Sequence, residues 1–295
     1  MKLKEIKKIF HRELDGLFPQ EEVNSFYYLL IEEYYGLNRF ILVLDPERAI
    51  TKKQEQPLFE ALAQLRKEYP IQYILNKTRF MDLDFKVDEQ VLIPRPETEE
   101  LVRWILEERA DRGVAVNILD LGSGSGCISI ALAKYWPEAR ITALDISSGA
   151  LEIARKNAKI HAVSIDFLQE DILTLDRLDQ SWDIMVSNPP YIRNSEKDSL
   201  PNNVRLYEPA SALFVPDELP LVFYEHIIRL AASHLKSGGS LYLEINEQMG
   251  TETQELLKTA DFSQIVLRKD LFGKERMLRA RKSKFREEGS QHHAK

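Results

Sequence analysis

The chain is poor in cysteine: Cys127 is its only one. That excludes an internal disulfide framework and any zinc site built on cysteines, and it fits a reducing compartment. Long apolar runs are missing as well. None approaches the ~18 residues that a membrane-spanning helix needs, so no membrane partner is expected. The opening MKLKEIKKIFHREL is cationic, but it is amphipathic and interrupted by acids, and it lacks the apolar centre and small-residue cleavage site of a leader. A cytoplasmic location is the expectation. With 12 glycines and 13 prolines in 295 residues, collagen-like chains are excluded, and there is no internal repeat or low-complexity block. Positive charge is not in excess either. A net charge of −7 argues against a protein that coats nucleic acid through its whole surface, so no stable nucleic-acid binding is expected. The balance is uneven: residues 1–80 carry 13 basic against 12 acidic side chains, and the remainder 27 against 35, which leaves room for a local basic patch on the first part. What is present, 44% apolar and 29% charged residues, is ordinary for a folded protein, and the length suggests about two domains.

The first 70 residues read as a small helical bundle. Ile6, Ile9, Phe10, Leu14 and Leu17 recur at helical spacing, as do Val23, Phe26, Tyr27, Leu30, Ile31 and Tyr34, with Gly36 at a C-cap position. Leu58, Ala61, Leu62 and Leu65 mark a further helix, with Thr51 as a candidate N-cap and Pro70 beyond its end. Residues 71–93 alternate in short stretches and read as a hairpin and linker. The string Pro94-Arg95-Pro96-Glu97-Thr98-Glu99-Glu100 then suits a helix N-terminus, where a missing N–H costs nothing and acids meet the positive end of the dipole. From about residue 114 strands and helices alternate. Strands are expected at 116–121, 140–145, 164–168, 182–187, 240–245, 264–267 and 276–281, and helices at 126–135, 148–161, 219–235 and 247–259. This alternation predicts an α/β domain over 94–282, with a seven-stranded, mostly parallel sheet covered on both faces. A polar tail follows over 283–295.

Two motifs carry chemistry. In the first, the strand Asn117-Ile118-Leu119-Asp120-Leu121 runs into Gly122-Ser123-Gly124-Ser125-Gly126, and a helix follows at once. Glycines here allow positive φ and let a ligand lie against bare backbone. Asp145, 19 residues past Gly126 at the end of the next strand, stands where a carboxylate meets ribose hydroxyls. The spacing G-x-G-x-G with Asp120 in front differs from a pyrophosphate loop. Asp120 would repel a diphosphate but could hold an ammonium, directly or through water, which favours S-adenosylmethionine. Asp171, after the third strand, can accept from an adenine amino group. The plainer readings are a tight turn for the loop, a helix N-cap for Asp145 and a solvated loop acid for Asp171. Cys127 reads as a small packing residue.

In the second motif a strand, Trp182–Ser187, stops at Asn188-Pro189-Pro190-Tyr191. Two prolines cannot continue a central strand, and they remove two donors while leaving carbonyl acceptors. The tetrad offers the Asn188 oxygen, the Pro189 carbonyl and the Tyr191 ring to a planar NH2 group: two acceptors for its protons and a face for stacking. Acceptors there return electron density to a delocalised nitrogen as it is methylated. The plainer reading is a proline-rich strand terminator.

Together these strings resemble class I methyltransferases that modify amide or exocyclic amino nitrogens. Among these the resemblance is closest to the release-factor glutamine methyltransferases, the HemK/PrmC family. It covers nearly the whole chain: the helical N-terminal part, IQYIL, VLIPRPETEELV, ILDLGSGSGCISIALA, ALDIS, VSNPPYI, YEPASAL and LFGKERM. The NPPY tetrad is shared with adenine methyltransferases of DNA and so specifies the acceptor group; IPRPETE is the more discriminating string. The resemblance implies a Rossmann-like methyltransferase sheet behind a substrate-recognition domain at 1–70. It implies S-adenosylmethionine as cofactor, held by Gly122, Ser123, Gly124, Ser125, Gly126, Asp145 and Asn188 with help from Asp171 and Ile172, and S-adenosylhomocysteine as product. It further implies that Asn188, Pro189, Pro190 and Tyr191 are catalytic and receive the glutamine amide of the Gly-Gly-Gln loop of release factors, with Arg95 and Glu97 near the entrance. Two strings depart from the family pattern: EINEQMG, where a glycine often follows Glu-Ile, and FVPDELPLVFY, which lacks a glycine before the next helix. An N-methyltransferase acting on an exocyclic amino group of a nucleic-acid base is the alternative, and a non-catalytic cofactor-binding module is a third reading.

The remaining candidates read as structural. His11, His161, His226 and His234 are scattered, so no metal site is expected, and His292-His293 sits in the tail. Phe26, Tyr27, Tyr34 and Tyr35 read as bundle core, with a docking face as the sharper alternative. Arg281, Lys282, Lys284 and Arg286 read as a solvated end, with nucleic-acid or ribosome contact as the alternative.

Overall fold

The computed structural model describes residues 1–108 and 115–283. Of the tail expected over 283–295, only Ser283 lies within the described residues; Lys284, Arg286 and His292-His293 lie outside them. By internal contacts the chain falls into two compact units. The first comprises Met1–Thr78, Val87–Glu89 and Asp198–Glu208, and the second Arg79–Lys86, Gln90–Lys197 and the chain from Pro209 on.

In the first unit, helices Leu3–Leu14, Gln20–Tyr35 and Lys52–Leu65 form where the apolar spacing predicts them. Leu3, Ile6, Phe10, Leu14, Tyr27, Leu30, Ile31, Leu58 and Leu65 are all at 0% exposure, so one apolar stripe from each helix meets at a common core. Tyr27 belongs to that core, and its hydroxyl donates to the Leu3 carbonyl at 2.8 Å. Gly36 ends the second helix in the left-handed region at φ +65°, and Thr51 caps the third by accepting from the Gln54 N–H. The stretch read as the start of a hairpin differs: Ile71–Leu75 is a short helix, with Pro70 at its N-cap and Asn76 in the left-handed region after it. Segment 198–208, which the linear reading assigned to the α/β domain, packs with the bundle instead. Its Asn202 donates to Glu68 at 2.9 Å, and the Tyr207 hydroxyl donates to the Lys67 carbonyl at 2.7 Å.

The second unit is built on one seven-stranded sheet. Its strands, in chain order, are β1 (Asn117–Leu121), β2 (Arg140–Asp145), β3 (Asp166–Gln169), β4 (Trp182–Ser187), β5 (Leu235–Glu244), β6 (Phe262–Lys269) and β7 (Glu275–Lys282). The spatial order is β3-β2-β1-β4-β5-β7-β6. All neighbours are parallel except that β7 runs antiparallel to both β5 and β6. Helices Pro96–Glu107, Cys127–Tyr135 and Ser148–His161 cover one face through Leu101, Trp104, Ile105, Ile128 and Ala158. Val222–His234 and Gly250–Thr259 cover the other through Tyr224, Ile227, Ile228 and Leu257. With both faces buried, the central strands are mostly apolar rather than alternating.

Register decides where the site can form. Leu121 pairs with Leu144 on one side and Ser187 on the other, and Ser187 pairs with Leu243. The carboxyl ends of β1, β2, β4 and β5 therefore lie level. Gly122, Asp145, Asn188 and Glu244 leave that edge side by side, flanking the gap between β1 and β4 where the strand order reverses direction. In open parallel sheets this switch point is where ligands bind.

Candidate active site

The glycine loop is made by backbone geometry that only glycine adopts cheaply. Gly122, Gly124 and Gly126 have φ of +77°, +53° and +79°. A Cβ at Gly126 would also lie 3.1 Å from the Ala154 Cβ and from Ile130, so the helix that follows is packed against bare backbone. The N–H groups of Gly122 and Ser123 both donate to the Leu144 carbonyl, at 2.8 and 2.9 Å, which ties the loop to the end of β2. A residue that sequence reasoning missed, Asn157, clamps it from the other side. Fully buried, it donates to the Ser125 carbonyl at 2.9 Å and to the Lys86 carbonyl at 3.0 Å, and accepts from the Lys86 N–H at 2.7 Å.

Asp145 holds the same loop through its side chain. One carboxylate oxygen accepts from the Gly124 N–H at 2.8 Å and the other from the Ser147 N–H at 2.9 Å. Burial pushes its pKa up, and the N–H groups of Ser147, Gly124 and Ile146 pull it back. Asp120 is fully buried beneath the loop and outside the cavity wall; one carboxylate oxygen accepts from the Ser129 hydroxyl at 2.5 Å, and the other has no partner among the described residues. Burial pushes its pKa up to about 7. Cys127 is buried with its thiol pushed up to about 12 by burial, as suits a packing residue.

The loop opens onto a cavity of about 460 Å³, within the usual size of a small-molecule site. Its wall includes Gly122, Ser123, Gly124, Ser125, Asp145, Asp171, Ile172, Arg95, Asn188 and Pro190. Gly126, Glu97, Pro189 and Tyr191 are outside the wall. Asp171 accepts from the Leu173 N–H at 2.9 Å in its own turn. Thr98 and the segment from Pro209 to Phe223 contribute wall that the residue-by-residue reading did not assign to a site. Ser123 bears directly on whether a ligand belongs here. Its hydroxyl is buried in the wall with no partner among the described residues, the kind of unmet polar atom that a polar ligand would satisfy. Among those residues no group of three or more His, Cys, Asp or Glu could hold a metal, and no helix is long and apolar enough to cross a membrane.

Behind the tetrad lies a polar network that sequence reasoning missed. The Asn188 NH2 donates to the Thr98 hydroxyl oxygen at 3.1 Å, and that hydroxyl donates to Glu244 at 2.6 Å. The other Glu244 oxygen accepts from the Tyr191 hydroxyl at 3.0 Å. Burial raises the Glu244 pKa, the hydrogen bonds from Thr98 and Tyr191 and the charge of Arg276 oppose that, and the charge of Glu97 adds to it. Arg276 also sits 5.9 Å from the centre of the Tyr191 ring. The Tyr191 hydroxyl is thus held by a buried acid, which braces the tetrad, and its ring is not part of the cavity wall. Asn246 stands in the departing EINEQMG string. It donates to the Tyr191 carbonyl at 3.1 Å and to Glu196 at 3.4 Å, so the asparagine adds a tie to the tetrad. The sequence shows Glu244 only as an acid at the carboxyl end of a predicted strand; that this strand lies beside the one ending in NPPY comes from the sheet order.

The sheet order, the loop at the end of β1 and the acid at the end of β2 define a class I methyltransferase, and comparison with known proteins agrees. Residues 99–217 match the family model described as "Methyltransferase small domain" and residues 18–75 the one described as "PrmC N-terminal domain". The crystal structure of a methyltransferase from Pyrococcus furiosus shares the fold at TM-score 0.50 and 16% identity, over 79% of this chain and all of that one. The chain is 45% identical over 95% of its length, and 99% of the relative's, to a release factor glutamine methyltransferase of Flavobacterium psychrophilum. It is 38% identical over 93% of its length, and 98% of the relative's, to one of Bacteroides thetaiotaomicron. It belongs to the release factor glutamine methyltransferase family.

Proposed function

We propose that this chain transfers the methyl group of S-adenosylmethionine to the side-chain amide nitrogen, N5, of the glutamine in the Gly-Gly-Gln motif of peptide-chain release factors. The observation that carries the reading is that the glycine loop, Asp145 and Asn188 open onto one cavity from three adjacent strand ends, in a chain that matches such enzymes over nearly its whole length.

Gly122, Gly124 and Gly126 shape the turn, and the Ser123 and Ser125 hydroxyls would take polar atoms of the cofactor's amino-acid end. Asp145 would accept from the ribose hydroxyls while its backbone partners hold it still. Asp171 and Ile172 would flank the adenine. Bound there, S-adenosylmethionine would supply an electrophilic methyl group on a sulfonium, a good leaving group, so the acceptor nitrogen need not be deprotonated before it attacks and gives up one proton to water afterwards. Asn188 Oδ1 and the Pro189 carbonyl would accept the two amide protons and so aim the nitrogen lone pair. These bonds strengthen as positive charge develops on that nitrogen, so they favour the transition state over the bound substrate. Pro190 keeps the ledge stiff, Tyr191 braces it, and Arg95 and Glu97 would meet the incoming loop.

The test is methyl transfer from labelled cofactor to purified release factor, with RNA and DNA offered in parallel. Label confined to the Gly-Gly-Gln peptide, heavier by one CH2 unit, is the expected outcome. Label in nucleic acid, the alternative acceptor, overturns the proposal.

A further inference from the structure

An asparagine side chain can present either its oxygen or its NH2 to a cavity, because a half-turn of the amide exchanges the two at nearly the same shape. At this site the neighbours dictate the choice. Glu244 is 1% exposed and Thr98 2%, so water does not complete their hydrogen bonds. An ionised carboxylate only accepts, and the hydrogen bonds from Thr98 and Tyr191 together with the charge of Arg276 favour that form of Glu244 against its burial. One Glu244 oxygen lies 2.6 Å from the Thr98 hydroxyl and the other 3.0 Å from the Tyr191 hydroxyl, so both hydroxyl protons are committed to it. With its single proton spent, the Thr98 oxygen can only accept. The Asn188 atom 3.1 Å away must then be the nitrogen, which leaves Oδ1 for the cavity that Asn188 lines.

We propose that Thr98 and Glu244 are positioning residues that set the orientation of the Asn188 amide: Glu244 fixes the Thr98 proton, Thr98 takes the Asn188 NH2, and Oδ1 is turned to the substrate as an acceptor. This rests on the reading above that the substrate group is an amide NH2. The opposite orientation would set N–H against N–H and repel it. The relay moves no proton in the reaction; it fixes which end of one side chain the substrate meets. The three residues come from three separate places, the first turn of the helix Pro96–Glu107, the end of β4 and the end of β5. Orientation is thus tied to the frame of the sheet rather than to a loop.

The test uses the full chain with Thr98→Val, which keeps the shape and loses the hydroxyl, and Thr98→Ser, which keeps the hydroxyl. Four quantities are read: kcat and KM with release factor, cofactor affinity by calorimetry, the melting temperature, and the side-chain NH2 resonances of Asn188 in 15N spectra. Thr98→Val is expected to lower kcat on the order of 10-fold to 100-fold, with KM and cofactor affinity little changed, since the lost effect is on alignment at the reacting atoms. Thr98→Ser restores the rate. The Asn188 NH2 resonances shift in the valine variant and keep the parental position in the serine variant. Glu244→Gln is the second variant: its amide can donate to Thr98, reverses the relay and also lowers kcat. Parental kcat in Thr98→Val, equal losses in Val and Ser, or unmoved Asn188 resonances would overturn the proposal. A parent enzyme that does not methylate release factor would sink the proposed function instead, and the NH2 resonances would still decide the relay.

Discussion

In the proposed function Asn188 meets an amide substrate through an acceptor, so removing that acceptor should reach the rate before it reaches binding. Asn188→Ala is expected to bind cofactor and to lose on the order of 100-fold or more in kcat, the usual loss when one transition-state hydrogen-bond partner goes. Steady-state kinetics beside calorimetry check this, and equal rates would remove Asn188 from the chemistry. Asp145→Ala should act on the other quantity, weakening cofactor binding by about 1–3 kcal/mol through the loss of charge-assisted hydrogen bonds. Asp120 makes a prediction about stability. Its folded pKa of about 7 stands above its ordinary 3.8, so the folded state binds its proton more tightly. Its contribution is complete below about pH 4, falls as pH rises, and is gone above about pH 7, a loss of roughly 4 kcal/mol. Asp120→Asn should therefore flatten the fall of melting temperature between pH 5 and pH 8, read by calorimetry at several pH values; parallel curves would contradict it. At this scale the motif residues were legible because glycine geometry and proline chemistry are local. Thr98, Glu244, Asn157 and Asn246 were not, because each acts through a partner far away in the chain. Glu244 is 146 residues from Thr98, and Asn157 is 71 from Lys86.

Elements were legible where period and caps agree. The helix Ser148–His161 follows its predicted bounds because Ser147 caps it and its apolar stripe is regular. It ends on Ala162, exposed and left-handed at φ +53°, a conformation that costs an L-residue roughly 1 kcal/mol. Ala162→Gly should raise stability by about that amount, read as a higher denaturant midpoint at unchanged slope; a lower midpoint would contradict the cap assignment. Ile71–Leu75 escaped the sequence reading because one turn and a half is too short to show a helical period. The hairpin after it, Thr78–Phe80 with Leu83–Phe85, turns at Met81 and Asp82, both left-handed and neither a glycine. Tertiary contacts hold that turn. The Met81 N–H donates to Glu99 at 2.7 Å, and its carbonyl accepts from the Tyr135 hydroxyl at 2.5 Å.

On the scale of the molecule, α/β class and strand number follow from alternation alone, whereas strand order does not. Nothing in the run of apolar residues says that β7 inserts between β5 and β6, or that segment 198–208 joins the helical unit. Both are settled by which surfaces bury best once the chain is compact. Segment 198–208 follows the Asn188–Tyr191 tetrad in the chain and precedes the stretch of cavity wall that starts at Pro209. The central claim is that a proline-stiffened ledge at the end of β4 faces a methyl donor held at the ends of β1 and β2. A crystal structure with S-adenosylhomocysteine measures this directly. The account predicts the adenosine between Asp145 and Ile172, the amino-acid end on the glycine loop, and the sulfur pointing at Asn188 across a gap that a methyl group and a nitrogen would fill. A sulfur directed away from Asn188, or a ligand bound elsewhere, would contradict it.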